Sequence, residues 1–289
     1  MIRRPPISAA LLSILLFSTF GSAAMGSTLY GVDFLNGNTY RIDKETAAAT
    51  LIGPTGQLLS VAGLAYEWRT GRVFVSNVVD PSFIDGGGLG VLDTATGAVQ
   101  PVPGGNDYIF SLSVPGIAFA ADGTLLGASA VNPGLVRLDP NTSLATIIAG
   151  WTGTKEVYGF ASAPDGTLFA IDRTDLFRVN GTNGVLTPIG PHGITGPSGY
   201  SILPLAFDVE TNQLFCADGD TDRLFRINPA TGAATFIGNT GLRLSGLAVT
   251  GATTAIPTLD GLGAVFLAVL LGTLGLVAMR RRMARTTAR

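Results

Sequence analysis

One cysteine and one histidine are all that the 289 residues contain. A single thiol, Cys216, excludes an intramolecular disulfide and a thiolate metal cluster; within Leu214-Phe215-Cys216-Ala217 it reads as a small core residue. A lone His192, in Gly190-Pro191-His192-Gly193, falls short of the several ligands that a zinc site needs, and reads as a solvated loop side chain. Charge is scarce as well, at 13% of residues. No Gly-x-Ser-x-Gly elbow is there to expose a nucleophilic serine. Between Ser27 and Gly251 no window keeps helical apolar periodicity over ten or more residues, and Gly and Pro interrupt throughout. That excludes a helical domain.

At both ends the shortage of charge has a different meaning. Arg3 and Arg4 precede an apolar run from Ile7 to Phe20, which closes on Gly21, Ser22, Ala23 and Ala24. Residues 1–24 therefore read as a secretory signal peptide. Small residues at −3 and −1 fit cleavage after Ala24 and after Gly26 equally well. Near the other end, Gly261 to Met279 is 19 residues without a charge. As a helix it covers about 28 Å, close to the hydrocarbon thickness of roughly 30 Å. Arg280, Arg281, Arg282, Arg285 and Arg289 follow at once and are expected to stay cytoplasmic, with everything before Ile256 across the membrane.

Immediately before this expected helix stand Ile256, Pro257, Thr258 and Leu259. The order of tetrapeptide, glycine-containing hydrophobic helix and terminal arginine cluster resembles the IPTL-CTERM protein-sorting domain of Gram-negative bacteria, over residues 256–285. That resemblance implies a membrane-embedded exosortase, a cysteine-dependent transpeptidase-like enzyme, as processing partner. It also implies a final location at the cell surface or in the extracellular matrix. The family usually continues Ser-Glu-Trp-Gly, where this chain has Asp260, Gly261, Leu262 and Gly263. Pro257 fixes its own φ and disfavours helix at Ile256, so the motif is expected to be extended and accessible. Residues 252–255 form a short polar linker.

Between the ends the chain repeats. Gly63-Leu64-Ala65, Gly116-Ile117-Ala118, Gly159-Phe160-Ala161, Pro204-Leu205-Ala206 and Gly246-Leu247-Ala248 recur at spacings of 53, 43, 45 and 42 residues. Periods in the forties with several short β-like runs are the signature of propeller blades. Each unit adds an Asp-Gly hairpin such as Asp122-Gly123 or Asp165-Gly166. An alternating strand follows, as in Leu135-Val136-Arg137-Leu138, Leu176-Phe177-Arg178-Val179 and Leu224-Phe225-Arg226-Ile227, with the arginines on one face. A turn such as Asp93-Thr94-Ala95-Thr96-Gly97 or Asn228-Pro229-Ala230-Thr231-Gly232 then leads to a fourth strand. Residues 27–251 are thus expected to be an all-β propeller. The first unit lacks its Gly-Leu-Ala strand, and Leu244 to Val249 supplies one after the last unit. Five blades with one shared between the two ends is the favoured count. Six is the alternative, because Asp80 to Gly90 lengthens the first period; Asp80 to Gly88 is read here as a blade insertion loop. More loosely, the units resemble bacterial propellers with a Leu-Tyr-x-Ile-Asp-Pro-x-Thr-Gly pattern, a group of mixed functions.

Chemistry-bearing clusters are few. Asp218, Asp220 and Asp222 alternate like the opening of a calcium loop, but Arg223 stands where that motif wants glycine and no glutamate closes it. They are the candidate calcium ligands against a charged hairpin tip, and no other cofactor is expected. Asp33, Asp172 and Asp208 fall near strand ends, where a propeller hydrolase of lactonase type would gather carboxylates around a metal in its central channel. Residues 25–255 hold 11 basic and 19 acidic side chains, a net charge of −8, which argues against nucleic acid as a ligand. The leading expectation is a non-enzymatic surface protein with a ligand-binding propeller face, and the alternative is that hydrolase.

Overall fold

The computed structural model describes residues 26–59, 62–79, 87–104, 114–129, 133–151, 156–195 and 202–251. The expected signal peptide, linker and sorting tail, with its helix over 261–279, lie outside the described residues. Among the described residues every regular element is a strand, and no helix is long and apolar enough to cross a membrane.

The chain opens with β1 (Thr28–Asp33), β2 (Asn38–Ile42) and β3 (Ala49–Pro54). Next come β4 (Leu58–Leu59), β5 (Leu64–Tyr66), β6 (Val73–Val79), β7 (Gly87–Leu92) and β8 (Val99–Pro101). The third group is β9 (Gly116–Phe119), β10 (Leu125–Ser129), β11 (Gly134–Leu138) and β12 (Ala145–Gly150). The fourth is β13 (Gly159–Ser162), β14 (Leu168–Ile171), β15 (Asp175–Val179) and β16 (Leu186–Pro191). β17 (Leu205–Asp208), β18 (Gln213–Asp218), β19 (Arg223–Ile227), β20 (Ala234–Asn239) and β21 (Leu244–Thr250) complete the described elements.

These strands form five antiparallel sheets, so the protein is a five-bladed propeller. Blade one has the order β21-β1-β2-β3, with Leu29 opposite Val249 and Gly31 opposite Leu247. The C-terminal strand therefore completes the N-terminal blade, as the missing Gly-Leu-Ala strand suggested. Among the described residues the long first period adds no sixth blade. Instead, β5 and the two-residue β4 pair with the two halves of β6. Gly87 to Gly90, read from sequence as the end of a loop or excursion, belong to β7, because Val75 and Val78 of β6 find Gly90 and Gly88 as ladder partners.

Blades pack because each inner strand has one small and one large face. Ala65 packs with Ile117 of the next blade, Ala118 with Phe160, Ala161 with Leu205, Ala206 with Leu247 and Ala248 with Leu64. With five blades, neighbouring sheets diverge by about 72°, so they nearly touch at the axis and need small residues there. At Gly159 a Cβ would sit 2.1 Å from the Leu203 carbonyl oxygen of the following blade, which only glycine tolerates.

At the perimeter the fourth strand of one blade runs into the turn between the third and fourth strands of the next. A Cβ on Gly190 would meet the Thr231 carbonyl oxygen at 2.3 Å, and one on Gly53 would meet that of Thr96 at the same distance. These turns have six residues in every blade: 43–48, 93–98, 139–144, 180–185 and 228–233. In each, the leading Asp43, Asp93, Asp139, Asn180 or Asn228 accepts a backbone N–H two residues on. The fifth residue is left-handed, at φ 62° for Ala47, 83° for Gly97, 56° for Ser143, 70° for Gly184 and 81° for Gly232. Asn141-Thr142-Ser143 and Asn180-Gly181-Thr182, which match the Asn-x-Ser/Thr sequon, lie in two of these turns.

Candidate functional site

The inner strands define two ends, an upper face where they begin and a lower face where they finish. Links from one blade to the next start and finish at the upper face, and they range from four residues (240–243) to fourteen (102–115). Variable connections on a rigid scaffold are where a fold places recognition. The upper face is therefore the candidate site.

Its floor is built by aspartates at the end of the second strand of a blade or directly after it. Asp33 accepts the Leu35 and Asn36 N–H groups, Asp172 those of Thr174 and Asp175, and Asp218 that of Asp220. All three are buried, at 3%, 6% and 3% exposure, and each closes the turn that follows it. Asp33 also accepts the backbone N–H of Arg243 at 3.1 Å, which joins blade five to blade one.

On this floor stands a charged cluster from blades four and five. Arg223 pairs with Asp218 at 2.7 Å and donates to the Thr195 carbonyl. Arg243 donates to the carbonyls of Gly219 and Asp220. Arg173 donates to the Tyr158 hydroxyl at 2.8 Å, stacks over its ring and lies 3.8 Å from Glu156. Burial, and then the neighbouring Asp218 charge, raise the Asp220 carboxyl above its ordinary range, while Arg243 and Arg173 oppose that rise. A half-buried carboxylate in the field of two guanidinium groups, with an exposed arginine stacked on tyrosine, is chemistry suited to docking a polar partner.

The sequence-derived candidates are distributed differently. Asp218, Asp220 and Asp222 lie at the end of β18 and in the turn that follows it. Asp218 is taken up by Asp220 N–H, Thr221 and Arg223, and the Asp222 carbonyl accepts Thr240 N–H at 2.7 Å. Among the described residues no group of three or more carboxyl, thiol or imidazole side chains is arranged to hold a metal ion. Asp33 and Asp172 share the upper face, whereas Asp208 ends an inner strand and lies at the lower face. Around the axis is a cavity of about 20 Å³, room for roughly one water, lined by Ala65, Ala118, Ala161, Ala206, Ala248 and Ser162. Among the described residues no carboxylate lines it.

His192 is not solvated, in contrast to the sequence reading. It is buried, its Nδ1 accepts the Ile194 N–H at 3.0 Å and its Nε2 lies 3.2 Å from the Asp172 carbonyl oxygen. Burial holds its pKa below the usual value, and both ring nitrogens are engaged. Cys216 is fully buried in β18, and burial pushes its thiol pKa up. Sequence reasoning missed Tyr158, Arg173 and Arg243, which lie in three separate connections. Only their arginine and tyrosine chemistry marked them.

Ile256, Pro257, Thr258 and Leu259, and the cluster Arg280, Arg281, Arg282 and Arg285, lie outside the described residues. No family model and no curated protein matches this sequence. Among solved structures, a chain of a nidogen/laminin complex is similar over 78% of this chain and 99% of its own, at 17% identity and a TM-score of 0.51. A second, a symmetrical protein from work on de novo evolutionary emergence shaped by folding constraints, is similar over 76% of this chain and 97% of its own, at 13% identity and a TM-score of 0.49. What the chain shares with the nidogen/laminin chain is the propeller fold.

Proposed function

We propose that this chain is an exported, surface-sorted binding protein whose propeller presents its upper face to a partner outside the cell. The observation that carries this reading is the placement of the two ends of the propeller. Thr28 pairs with Thr250 at the lower face, so both ends of the propeller leave the upper face unobstructed. Residues 252–260, which join the propeller to the expected helix, reach at most about 32 Å when extended. A tail inserted in the membrane therefore turns the lower face toward lipid and the upper face away from it. The IPTL-CTERM resemblance at Ile256 to Leu259, with the arginines that follow, supplies the tail and its exosortase partner. A propeller of the same fold in a nidogen/laminin complex supports a protein as ligand.

Intact-mass measurement of surface-released protein tests the sorting half. The processed form is expected to lack residues 261–279 and the terminal arginines; a released form that keeps them overturns it. For the binding half, Arg173→Ala is expected to weaken retention on the extracellular matrix of the producing bacterium about tenfold, the loss of a typical arginine anchor. Arg69→Ala at the lower face is expected to leave retention unchanged. Equal retention by the Arg173 variant and wild type overturns the upper face as the binding surface.

A further inference from the structure

At the lower face a small ionic cluster ties the start of the propeller to blade five. The Ser27 hydroxyl lies 2.6 Å from Asp208 Oδ1 and 2.8 Å from Glu210 Oε2, and it accepts a hydrogen bond from Lys44 Nζ. Lys44 also pairs with Asp208 at 2.9 Å and with Glu210 at 3.3 Å. Asp208 is fully buried and Ser27 nearly so, whereas Gly26 is exposed. A Cβ on Gly26 would sit 3.6 Å from the Glu210 carboxylate, so the chain passes over Glu210 just before Ser27. The Ser27 backbone amide faces the same carboxylate and, after the Ser27 hydroxyl, helps hold Glu210 below its ordinary range.

The charges of this cluster do not balance. Asp208 and Glu210 contribute two negative charges and Lys44 one positive charge. Other charged groups around it are Arg41, Asp43 and Glu45 on β2 and its turn, and Arg226 of β19. Arg226 is already paired with Glu45 at 2.7 Å. One cation is missing, and the atom facing Glu210 is a backbone nitrogen.

We propose that signal peptidase cuts after Gly26 and that the new α-ammonium of Ser27 is the missing cation, bound by Glu210. Of the two cleavage sites that the small residues allow, only this one creates a positive charge at the nitrogen already facing a carboxylate. Cleavage after Ala24 places the ammonium two residues upstream, on Met25. The cluster is thus a receptor for the processed N-terminus, and the removal of the leader completes the latch between blades one and five. A groove of about 450 Å³ beside Ser27 and Lys44 keeps the site next to solvent.

This inference rests on the export reading above, and one experiment separates the two. The full chain, with its own leader, is exported from a Gram-negative host and its N-terminus sequenced. A start at Ser27 is expected; a start at Met25 overturns the receptor and leaves export standing, and retention of residues 1–24 overturns both. A second readout is the rate at which the α-amine reacts with an amine reagent at pH 6.5, below both pKa values, followed on the N-terminal peptide. The wild-type amine is expected to react about tenfold more slowly than that of Glu210→Gln, equivalent to one pKa unit. Equal rates overturn the pairing with Glu210.

Discussion

His192 illustrates how little a single residue type reveals about its surroundings. From sequence it is a loop histidine, yet the fold buries it between the Ile194 N–H and the Asp172 carbonyl, one of them twenty residues away in the chain. Its pKa is depressed by burial, so the folded protein binds its proton less readily than the unfolded chain does. Stability from this site is then present above the unfolded value of about 6.5 and is lost as pH falls through it. Thermal melts between pH 7.5 and 5 are expected to show that loss in wild type and a smaller loss in His192→Gln. At pH 7.5 that variant is expected to be less stable by about 1–2 kcal/mol, the value of a buried hydrogen bond made imperfectly. The same limit applies to Asp218, Asp220 and Asp222. Their alternation was legible, but Arg223 and Thr221 occupy Asp218, and that pairing depends on the turn conformation rather than on spacing.

Strands and turns were far easier to read, because five copies of one pattern confirm each other. The alternation around Arg137, Arg178 and Arg226 becomes three third strands in which each arginine faces a threonine, Thr146, Thr187 or Thr235, across the ladder. β4 was not legible, since two residues carry no period and it exists only because β6 extends past the end of β5. The glycines of β7 were misread because glycine is also a loop residue, and only the partner strand decides between the two roles. Perimeter glycines have a sharper consequence. Gly190→Ala forces a methyl against the Thr231 carbonyl at 2.3 Å, backbone against backbone, and is expected to lower stability by about 2–4 kcal/mol in chemical denaturation. Gly56→Ala serves as control: its left-handed φ carries a smaller penalty of about 1 kcal/mol, and nothing lies within contact of a new methyl.

For the whole molecule, ring closure was legible as a strand missing at one end and present at the other. The division of labour between faces was not, because it depends on which strand ends point the same way. Closure also predicts tolerance to rewiring. A circular permutant that joins residue 250 to residue 28 through a short turn, and opens the chain within 240–243, keeps every blade and is expected to melt cooperatively. Deleting residues 244–250 instead removes the inner strand of blade one and is expected to abolish that transition. The pairing of β21 with β1 has one more consequence, which concerns force. A molecule held by its tail and gripped on the opposite face is loaded along β21, parallel to the strand. The rungs between Leu29 and Val249 and their neighbours are then strained together in shear, the geometry in which a ladder resists most. A pull between Thr28 and Thr250, which lie side by side, would peel the same rungs open one at a time.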